Sequence, residues 1–257
     1  MPTLSNAEIK AKIAARPFWY HQIEVAPGIV TPGVQPSPLV LQSLHLPEDM
    51  TGMRALDIGA ADGFYSFECA RRRAAEVVAI DYLPPEAYGF ALVKELLGAE
   101  KITHCIDNIY NLSPAKYGHF DVVLFTGMIY HLPDPMLCLQ IVRSLCKPSA
   151  VMAVETHVID QWLLPQAPEA MRQQLMAEPL MQFYLDNAFH NDWTNFWGPN
   201  VTCMKQMLVQ SGFEVLHTDM VLPGRATFSC RKVEDPRREH DLRLAYGSFL
   251  DRLQGLA

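Results

Sequence analysis

Short apolar runs alternate with helix-like segments through the middle of the chain. Each run is rich in Val, Ile and Leu and is followed by a stretch in which apolar residues recur at helical spacing. This rhythm is typical of a parallel sheet covered by helices on both faces. The pattern therefore predicts an α/β fold with strands at ALDIGA (55–60), EVVAID (76–81), KITHCID (101–107), FDVVLFTG (120–127) and AVMAVETHV (150–158).

The C-terminal part of the chain predicts three further elements. A helix begins near Thr202 and ends at Gly212. The runs FEVLHTDM (213–220) and RATFSCRKV (225–233) follow, joined by a Pro-Gly turn, and they predict an antiparallel hairpin added to the sheet. Residues 234–253 predict a surface helix.

The N-terminal part predicts a cover over the sheet. Residues 4–16 have the spacing of a short amphipathic helix capped by Ser5 or Asn6. Residues 17–38 hold five prolines, too many for a regular helix or a central strand. We therefore expect a single domain with an N-terminal cover segment (1–45), a Rossmann-like core (46–160), a helical lid (161–200), and a last part that completes the sheet (201–257).

Composition narrows the class of partner. The chain has 257 residues, 49% of them apolar and 19% charged, with a formal net charge of -7. Negative charge disfavours nucleic acid or an anionic membrane as partner, although a local basic patch is compatible with it. The six cysteines include no C-x-x-C pair, and no apolar run is long enough for a secretion signal or a membrane span. These features predict a cytoplasmic protein with a small-molecule substrate.

The first strand-to-helix turn, ALDIGAADGFYS, lies where open α/β sheets contact nucleotides. A dinucleotide turn needs glycines at its first, third and sixth positions, but here those residues are Gly59, Ala61 and Phe64. Asp57 and Asp62 flank the turn and would repel phosphates. The sequence therefore predicts that the turn faces a cation.

Acidic residues also end the next two predicted strands. Asp81 ends the second strand, where a carboxylate can accept both hydroxyls of a ribose. Asp107 ends the third strand and is followed by Asn108 and Ile109, which suit the edge and the face of an adenine. A single acid at a strand end is usually only a turn residue. Acids at the ends of three successive strands, Asp57, Asp81 and Asp107, are a stronger signal. They indicate S-adenosylmethionine, which combines an adenosine with positive charge and has no phosphate.

Several segments resemble class I S-adenosylmethionine-dependent methyltransferases, namely ALDIGAADG, VVAID, FDVVLFTGMIYHLPDP and AVETHVID. FWYHQIEVAPGIVTPG, GMIYHLPDP and NFWGPNVTCMKQMLVQSGF more narrowly resemble the family of the tRNA wobble-uridine carboxymethyltransferase and its small-molecule relatives. The resemblance implies a mostly parallel seven-stranded sheet with a C-terminal antiparallel hairpin and a helical lid. It also implies a cofactor site formed by Asp57, Gly59, Ala61, Gly63, Asp81, Tyr82, Asp107, Asn108, Ile109, Thr126 and Gly127. For the residues around Gly127, simple core packing is the competing interpretation.

The wobble-uridine enzymes use carboxy-S-adenosylmethionine, and the resemblance implies which residues would hold the extra carboxylate. Tyr130 matches the tyrosine of that site, and Arg225 matches its arginine. The lysine of the site has no clear counterpart here, because ARPFWY offers Arg16 at best. We therefore expect ordinary S-adenosylmethionine as the cofactor.

His131 and Tyr130 are the candidate catalytic residues. Histidine titrates near neutral pH, so His131 could take a proton from a hydroxyl or amine acceptor, or it could simply cap the turn into LPDP. Aromatic rings with a few polar groups predict the acceptor pocket, although a lid core competes for the same rings. The candidate acceptor residues are Trp19, Tyr20, Tyr184, His190, Trp193, Trp197 and Arg225. His190 with Asp192 gives too few ligands for a metal, so no metal site is predicted.

Three functions are compatible with these residues. The first is a methyltransferase that moves a methyl group to an oxygen or nitrogen of a small, aromatic or heterocyclic metabolite. The alternative is a tRNA wobble-uridine (carboxy)methyltransferase, against which the net charge of -7 counts. A non-catalytic cofactor-binding protein is the third. The oligomeric state, monomer or homodimer, is left open.

Overall fold

The computed structural model describes residues 4–162, 168–235, 240 and 244–247. The chain divides into two compact units, each described below by itself. The first unit covers residues 1–42 and 47–108, and the second covers residues 43–46 and 109–257. The division of the chain into a cover segment, a core, a lid and a last part stays a prediction.

The first unit alternates helices and strands. Its elements are α1 (Asn6–Ala14), β1 (Glu24–Ala26), β2 (Ile29–Val30), α2 (Ser37–Gln42), β3 (Arg54–Ile58), α3 (Phe64–Arg71), β4 (Glu76–Asp81), α4 (Phe90–Leu97) and β5 (Ile102–Ile106). Strands β3, β4 and β5 are parallel neighbours in that order. Almost every residue of β3 and β4 is buried, whichever face of the sheet it lies on. That is why both strands are continuous apolar runs in the sequence.

Helix α1 begins where the sequence predicts. The Ser5 side chain accepts a hydrogen bond from the backbone of Glu8, and the Glu8 carboxylate accepts one from the backbone of Ser5, a reciprocal capping box. The cap is therefore Ser5 and not Asn6. Ile9 and Ile13 are the buried residues of the helix.

The second unit supplies the remaining long strands. Its elements are α5 (Pro114–Tyr117), β6 (Phe120–Thr126), α6 (Pro135–Leu145), β7 (Cys146–His157), α7 (Glu169–Ala177), β8 (Met181–Phe183), β9 (Trp197–Pro199), α8 (Val201–Gln210), β10 (Phe213–Leu222) and β11 (Arg225–Lys232). Short 3-10 turns cover residues 109–111 and 129–131. Strand β7 is parallel to β6 and antiparallel to β11, which pairs with β10 in an antiparallel hairpin.

The predicted fold class is confirmed. Seven strands form the mostly parallel sheet, β10-β11-β7-β6 from the second unit and β3-β4-β5 from the first, and the C-terminal hairpin is present. The insertion at 161–200 differs from a wholly helical lid. Among its described residues, only α7 is helical, and a two-stranded β8–β9 ribbon follows. Its many aromatic residues fit a pleated ribbon better than a helix.

The structure also bears on the predicted C-terminal helix, on membrane-spanning helices and on the cysteines. The predicted C-terminal helix at 234–253 falls mostly outside the described residues; within it, residues 240 and 244–247 are described as helical. No helix in the described part of the chain is long and apolar enough to cross a bilayer. All six cysteines are free thiols.

Candidate active site

The turn between β3 and α3 is a tight backbone loop with small residues at its three positive-φ positions. Gly59, Ala61 and Gly63 all have positive φ, at 80°, 48° and 89°. A Cβ atom on Gly63 would lie 2.6 Å from carbons of Phe67 and Phe90, so a side chain there would clash as well as strain the backbone. The bulky residue that follows, Phe64, is already in the helix and leaves the turn open.

Asp57 lies at the end of β3 and is completely buried. Its Oδ2 atom accepts a hydrogen bond from the Ser66 hydroxyl at 2.6 Å, whereas Oδ1 has no partner among the described residues. Burial, helped by the nearby Asp81 charge, raises the pKa of Asp57 to about 6. A buried carboxylate oxygen without a donor is costly, and a ligand ammonium would remove that cost.

Asp62 differs from the sequence expectation that it faces a cation. It is fully buried, and its Oδ2 accepts the backbone N–H groups of Tyr20 at 2.6 Å and His21 at 2.7 Å. Its Oδ1 accepts the N–H of Gly89 at 2.6 Å. The charge of Asp62 therefore ties the N-terminal segment and the loop before α4 to the glycine turn. Sequence reasoning missed this role because none of the three partners is local.

Asp81, at the end of β4, both shapes the turn and keeps acceptor capacity. Its Oδ2 accepts the N–H of Ala61 at 2.9 Å, and its Oδ1 accepts the N–H of Leu83 at 3.0 Å. Each carboxylate oxygen can accept a second hydrogen bond, as a ribose diol requires. The next residue, Tyr82, is 66% exposed, so its ring is available to cover a ligand.

The third strand end lies next to the second. The N–H of Asp107 donates to the carbonyl of Asp81 at 2.9 Å, and the Asp107 carboxylate accepts the N–H of Asn108 at 2.8 Å. The structure thus brings the predicted residues of β3, β4 and β5 together at the carboxyl ends of three adjacent parallel strands. Ile109 is buried and begins the 3-10 turn of the second unit.

The N-terminal segment packs over the loop before α4. Trp19 is only 3% exposed, and its indole N–H donates to the carbonyl of Ile13 at 3.1 Å. A Cβ atom on Gly89 would lie 2.0 Å from the Trp19 ring, so this position requires glycine. Arg16 donates to the carbonyls of Glu86 and Tyr88. Trp19 therefore fills the interior of this unit and presents almost no surface to an acceptor.

In the second unit, the end of β6 leads into a charged cluster. Gly127 donates its N–H to the carbonyl of Glu155 at 2.8 Å, and Thr126 is buried beside it in the chain. The Arg225 guanidinium forms two hydrogen bonds with the Glu155 carboxylate, at 2.5 and 2.7 Å, and donates to the Tyr130 hydroxyl at 3.1 Å. Burial raises the pKa of Tyr130, with the Arg225 charge acting against it.

Glu155 is a site residue that sequence reasoning missed, although it lies within the quoted run AVMAVETHV. It is 1% exposed. An acid inside an otherwise apolar strand was the available signal, because a buried carboxylate needs a charged or hydrogen-bonding partner. Arg225, which the sequence assigned to the site, is that partner.

His131 follows Tyr130 at the end of the 3-10 turn. Its Nδ1 atom lies 2.9 Å from the Thr194 hydroxyl and 3.2 Å from the Thr194 carbonyl oxygen. Burial lowers the pKa of His131, while the Thr194 backbone and the Asp192 charge act in the opposite direction. The ring is therefore neutral at pH 7, as a proton acceptor must be.

The insertion brings Tyr184 and His190 together with two residues that the sequence did not assign. The Tyr184 hydroxyl lies 2.8 Å from Nε2 of His157, and its ring stacks on Phe189 at 4.7 Å between centroids. Phe189 also lies 4.1 Å from the rings of His157 and His190. Burial lowers the pKa of His157 to about 4, so this histidine is neutral.

The predicted aromatic residues separate into two groups. Tyr184 is 7% exposed and packs as the lid-core alternative requires, whereas Trp193 is 73% exposed. Trp197 begins β9 and donates its indole N–H to the carbonyl of Pro133 at 3.0 Å. Trp193 lies in a turn, so it and Trp197 do not belong to one helix. Within the described residues, no group of three His, Cys, Asp or Glu side chains could hold a metal ion.

Known proteins with similar sequences include methyltransferases. A methyltransferase domain family model matches residues 49–216. A ubiquinone biosynthesis O-methyltransferase of Xanthomonas campestris pv. campestris (strain B100) is 32% identical over 107 residues, 42% of this chain and 44% of the relative. A tRNA U34 carboxymethyltransferase of Syntrophotalea carbinolica is 25% identical over 165 residues, 64% of this chain and 46% of the relative. These matches thus span less than half the length of either relative.

A solved structure extends the likeness to the whole fold. The N-terminal domain of EvdMO1, determined in the presence of SAH and D-fucose, superposes with a TM-score of 0.63. The alignment covers 91% of this chain and 98% of that one at 17% sequence identity. At this level of identity, the likeness shows a shared fold.

Proposed function

The chain belongs to the methyltransferase domain family, and on that premise we propose that it transfers a methyl group from S-adenosylmethionine to an oxygen or nitrogen of a small, aromatic or heterocyclic metabolite. The observation that carries the proposal is the row of carboxylates at the ends of β3, β4 and β5, where one buried oxygen of Asp57 has no donor among the residues that the structure describes. A phosphate-bearing dinucleotide would be repelled there. We expect the protein to act in the cytoplasm.

The ammonium, ribose and adenine of the cofactor each have a matching group in the first unit. The unpartnered oxygen of Asp57 suits the ammonium group, with Gly59, Ala61 and Gly63 forming the floor. The two oxygens of Asp81 suit the ribose hydroxyls, and Asp107 with Asn108 suits the adenine amino group. Thr126 and Gly127 are assigned to the neighbourhood of the sulfonium. When bound, the cofactor supplies a methyl group on a positively charged sulfur.

The protein's own contribution is alignment and proton transfer. Direct displacement at a methyl carbon depends mainly on holding the acceptor in line and excluding water. Neutral His131 is assigned to take the proton of the acceptor, and Tyr130 is assigned to orient the acceptor through its hydroxyl. The Tyr130 hydroxyl accepts from Arg225, so its own hydrogen is available to donate to a ligand.

Charge balance around Arg225 favours the ordinary cofactor over its carboxylated form. Glu155 already neutralises the guanidinium through two short hydrogen bonds. A carboxylated donor would add a second negative charge to a neutral pair, and no lysine matches the one that holds this carboxylate in the wobble-uridine enzymes. For this reason we assign S-adenosylmethionine.

The acceptor pocket is assigned to the insertion and to the aromatic rings within it. His190 and Trp193 offer a polar and a planar surface, while Tyr184 is assigned to the pocket wall through its contact with Phe189. Planar rings of this kind suit an aromatic or heterocyclic acceptor. Tyr20 and Trp197 stay predicted acceptor residues. The oligomeric state stays open between monomer and homodimer.

A tRNA wobble uridine is the second candidate acceptor. The similarity to a tRNA U34 carboxymethyltransferase over 165 residues favours it. The net charge of -7 counts against it, because binding to nucleic acid depends on Lys and Arg contacts with phosphates.

Two measurements test the proposal. Calorimetry with S-adenosylhomocysteine, S-adenosylmethionine, its carboxylated form and NAD should give binding of the first two and the weakest binding of NAD. Transfer of a labelled methyl group should then be followed with a panel of phenols, N-heterocycles and bulk tRNA. No binding of S-adenosylhomocysteine would exclude the function. Labelling of tRNA alone would replace the small acceptor by the second candidate.

A further inference from the structure

His131 is held from one side by a turn of the insertion. The Thr194 side chain and carbonyl both lie within hydrogen-bond distance of Nδ1, at 2.9 and 3.2 Å. Asp192, two residues earlier, accepts the Thr194 hydroxyl at 2.6 Å and the Thr194 N–H at 2.9 Å, both through Oδ1. Among the described residues, none forms a hydrogen bond with Nε2 of His131.

The chemistry of each group determines which atoms donate and which accept in the hydrogen bonds that link Asp192, Thr194 and His131. The Thr194 carbonyl oxygen can only accept a hydrogen bond. The Thr194 hydroxyl uses its hydrogen for the Asp192 carboxylate at 2.6 Å, so it has only a lone pair for His131. Both partners of Nδ1 therefore accept, and Nδ1 must bear the hydrogen. A neutral imidazole has only one such hydrogen, so its Nε2 atom has the free lone pair.

The surrounding charges agree with this arrangement. Burial acts to raise the pKa of Asp192, but the hydrogen bonds from Thr194 lower it, so Asp192 is an ionised acceptor at neutral pH. The other titratable or charged groups near His131 are Tyr130, whose ring lies 4.2 Å away, and Arg225, whose charge acts to lower the pKa of His131.

The same turn occurs elsewhere without a histidine. Asp49 accepts the Thr51 N–H at 2.9 Å and the Thr51 hydroxyl at 2.6 Å, the distances found at Asp192 and Thr194. An Asp-x-Thr turn of this kind forms locally and requires no third residue. The contact of Thr194 with His131 is therefore additional to the turn.

We propose that Thr194 and Asp192 are positioning residues that hold His131 with its hydrogen on Nδ1, so that Nε2 takes the proton of the methyl acceptor. The inference rests on the proposed function. In the reaction, a lone pair of the acceptor oxygen or nitrogen forms a bond to the methyl carbon while the carbon–sulfur bond breaks and its electrons stay on sulfur. The acceptor proton passes to Nε2, and the resulting imidazolium later releases it to water.

The tautomer is measured directly by NMR. The whole protein, labelled with ¹⁵N in its histidines, is recorded in long-range ¹H–¹⁵N spectra at mildly alkaline pH, and a His131→Gln variant assigns the signals. In the wild-type protein, Nδ1 of His131 should be protonated and Nε2 unprotonated. Thr194→Val should increase the Nε2-protonated population, and Thr194→Ser should restore the wild-type spectrum. A wild-type ring protonated on Nε2, or a spectrum unchanged in Thr194→Val, would overturn the inference.

Matched controls separate positioning from loop stability. Thr51→Val removes the equivalent hydroxyl from the other turn and should leave the His131 signals unchanged. Asp192→Ala should shift the pKa of His131 downward, because it removes a nearby negative charge. Each variant should bind S-adenosylhomocysteine with wild-type affinity in calorimetry. If Thr51→Val changed the His131 tautomer as much as Thr194→Val does, the effect would be a general one and the inference would fail.

Steady-state kinetics is the second test of the inference. It uses a methyl acceptor identified in the panel of phenols and N-heterocycles. General base catalysis contributes on the order of 10²–10⁴ in rate, so kcat in Thr194→Val should fall at least about tenfold with KM little changed. The lower limb of the pH–kcat profile should also shift. Full turnover by His131→Gln would remove the base from the proposed function itself. Slow turnover by His131→Gln together with full turnover by Thr194→Val would reject only the positioning role.

Discussion

Replacing Asp62 by asparagine tests whether this acid holds the glycine turn together or faces the cofactor. Its two oxygens accept three backbone N–H groups at 2.6–2.7 Å, from Tyr20, His21 and Gly89, and the residue is completely buried. Asparagine has almost the same shape, but one end of its amide is a donor. In either orientation, the NH₂ end therefore faces at least one backbone N–H.

The expected loss follows from these contacts. In the better orientation, the amide oxygen still accepts the backbone N–H groups of Tyr20 and His21, while the N–H of Gly89 loses its acceptor. A hydrogen bond to a charged group is worth about 1.5–3 kcal/mol, and an unsatisfied buried donor costs about 1–3 kcal/mol. The two remaining bonds also weaken because the charge is gone. The free energy of unfolding should thus fall by about 3 kcal/mol, which leaves a folded protein if its stability is in the usual range of about 5–15 kcal/mol.

Urea denaturation followed by tryptophan fluorescence measures this difference, and calorimetry with S-adenosylhomocysteine measures cofactor affinity in the same variant. Glu100→Gln, which removes one charge at an exposed position, is the control and should change stability by less than about 0.5 kcal/mol. An Asp62→Asn protein as stable as wild type, but with much weaker cofactor binding, would contradict the structural role, because Asp62 would then face the ligand.

Three further predictions concern the other buried acids. Asp81→Asn should weaken S-adenosylhomocysteine binding about 10- to 100-fold in calorimetry, since charged acceptors for the ribose are lost; unchanged affinity would remove the ribose assignment. For Asp57, the raised pKa means that its stabilising contribution is full below about pH 4 and is lost as the pH rises through about 6. Asp57→Asn should therefore gain about 1 kcal/mol relative to wild type between pH 5 and pH 8 in urea titrations, and a constant difference would contradict this. Glu155→Gln should lower the free energy of unfolding by about 3 kcal/mol because Arg225 loses its countercharge, and Glu155→Gln/Arg225→Met should recover part of that loss, which a thermal melt would reveal.

Local patterns account for most of the agreement between prediction and structure. The predicted strand at 76–81 matches β4 residue for residue, and those at 120–127 and 213–220 differ from β6 and β10 by one or two residues. Continuous apolar runs can be recognised in the sequence because both faces of a central parallel strand are buried. Family membership was predicted from the same segments and is confirmed by the match over residues 49–216.

The insertion was predicted less well for a physical reason. Its aromatic residues are compatible with a helix or a ribbon, because short apolar segments have no decisive period. The pairing of β8 with β9 brings together residues such as Met181 and Pro199, which are far apart in the chain. The functional assignments of Tyr184, His190 and Trp193 stay predictions, and the structure adds His157 and Phe189 as neighbours.

Sequence patterns were sufficient to predict the order of the core strands and helices, the glycine turn and an acid at the ends of β3, β4 and β5, since all of these depend on neighbours within a few residues. The contacts of each charged side chain depend on how distant segments pack together. Asp62 contacts the backbone of two distant segments, Arg225 pairs with Glu155, and His131 contacts Thr194, 63 residues further along the chain. A buried charged or polar group must find a partner somewhere, but which partner it finds depends on long-range packing that no local period encodes.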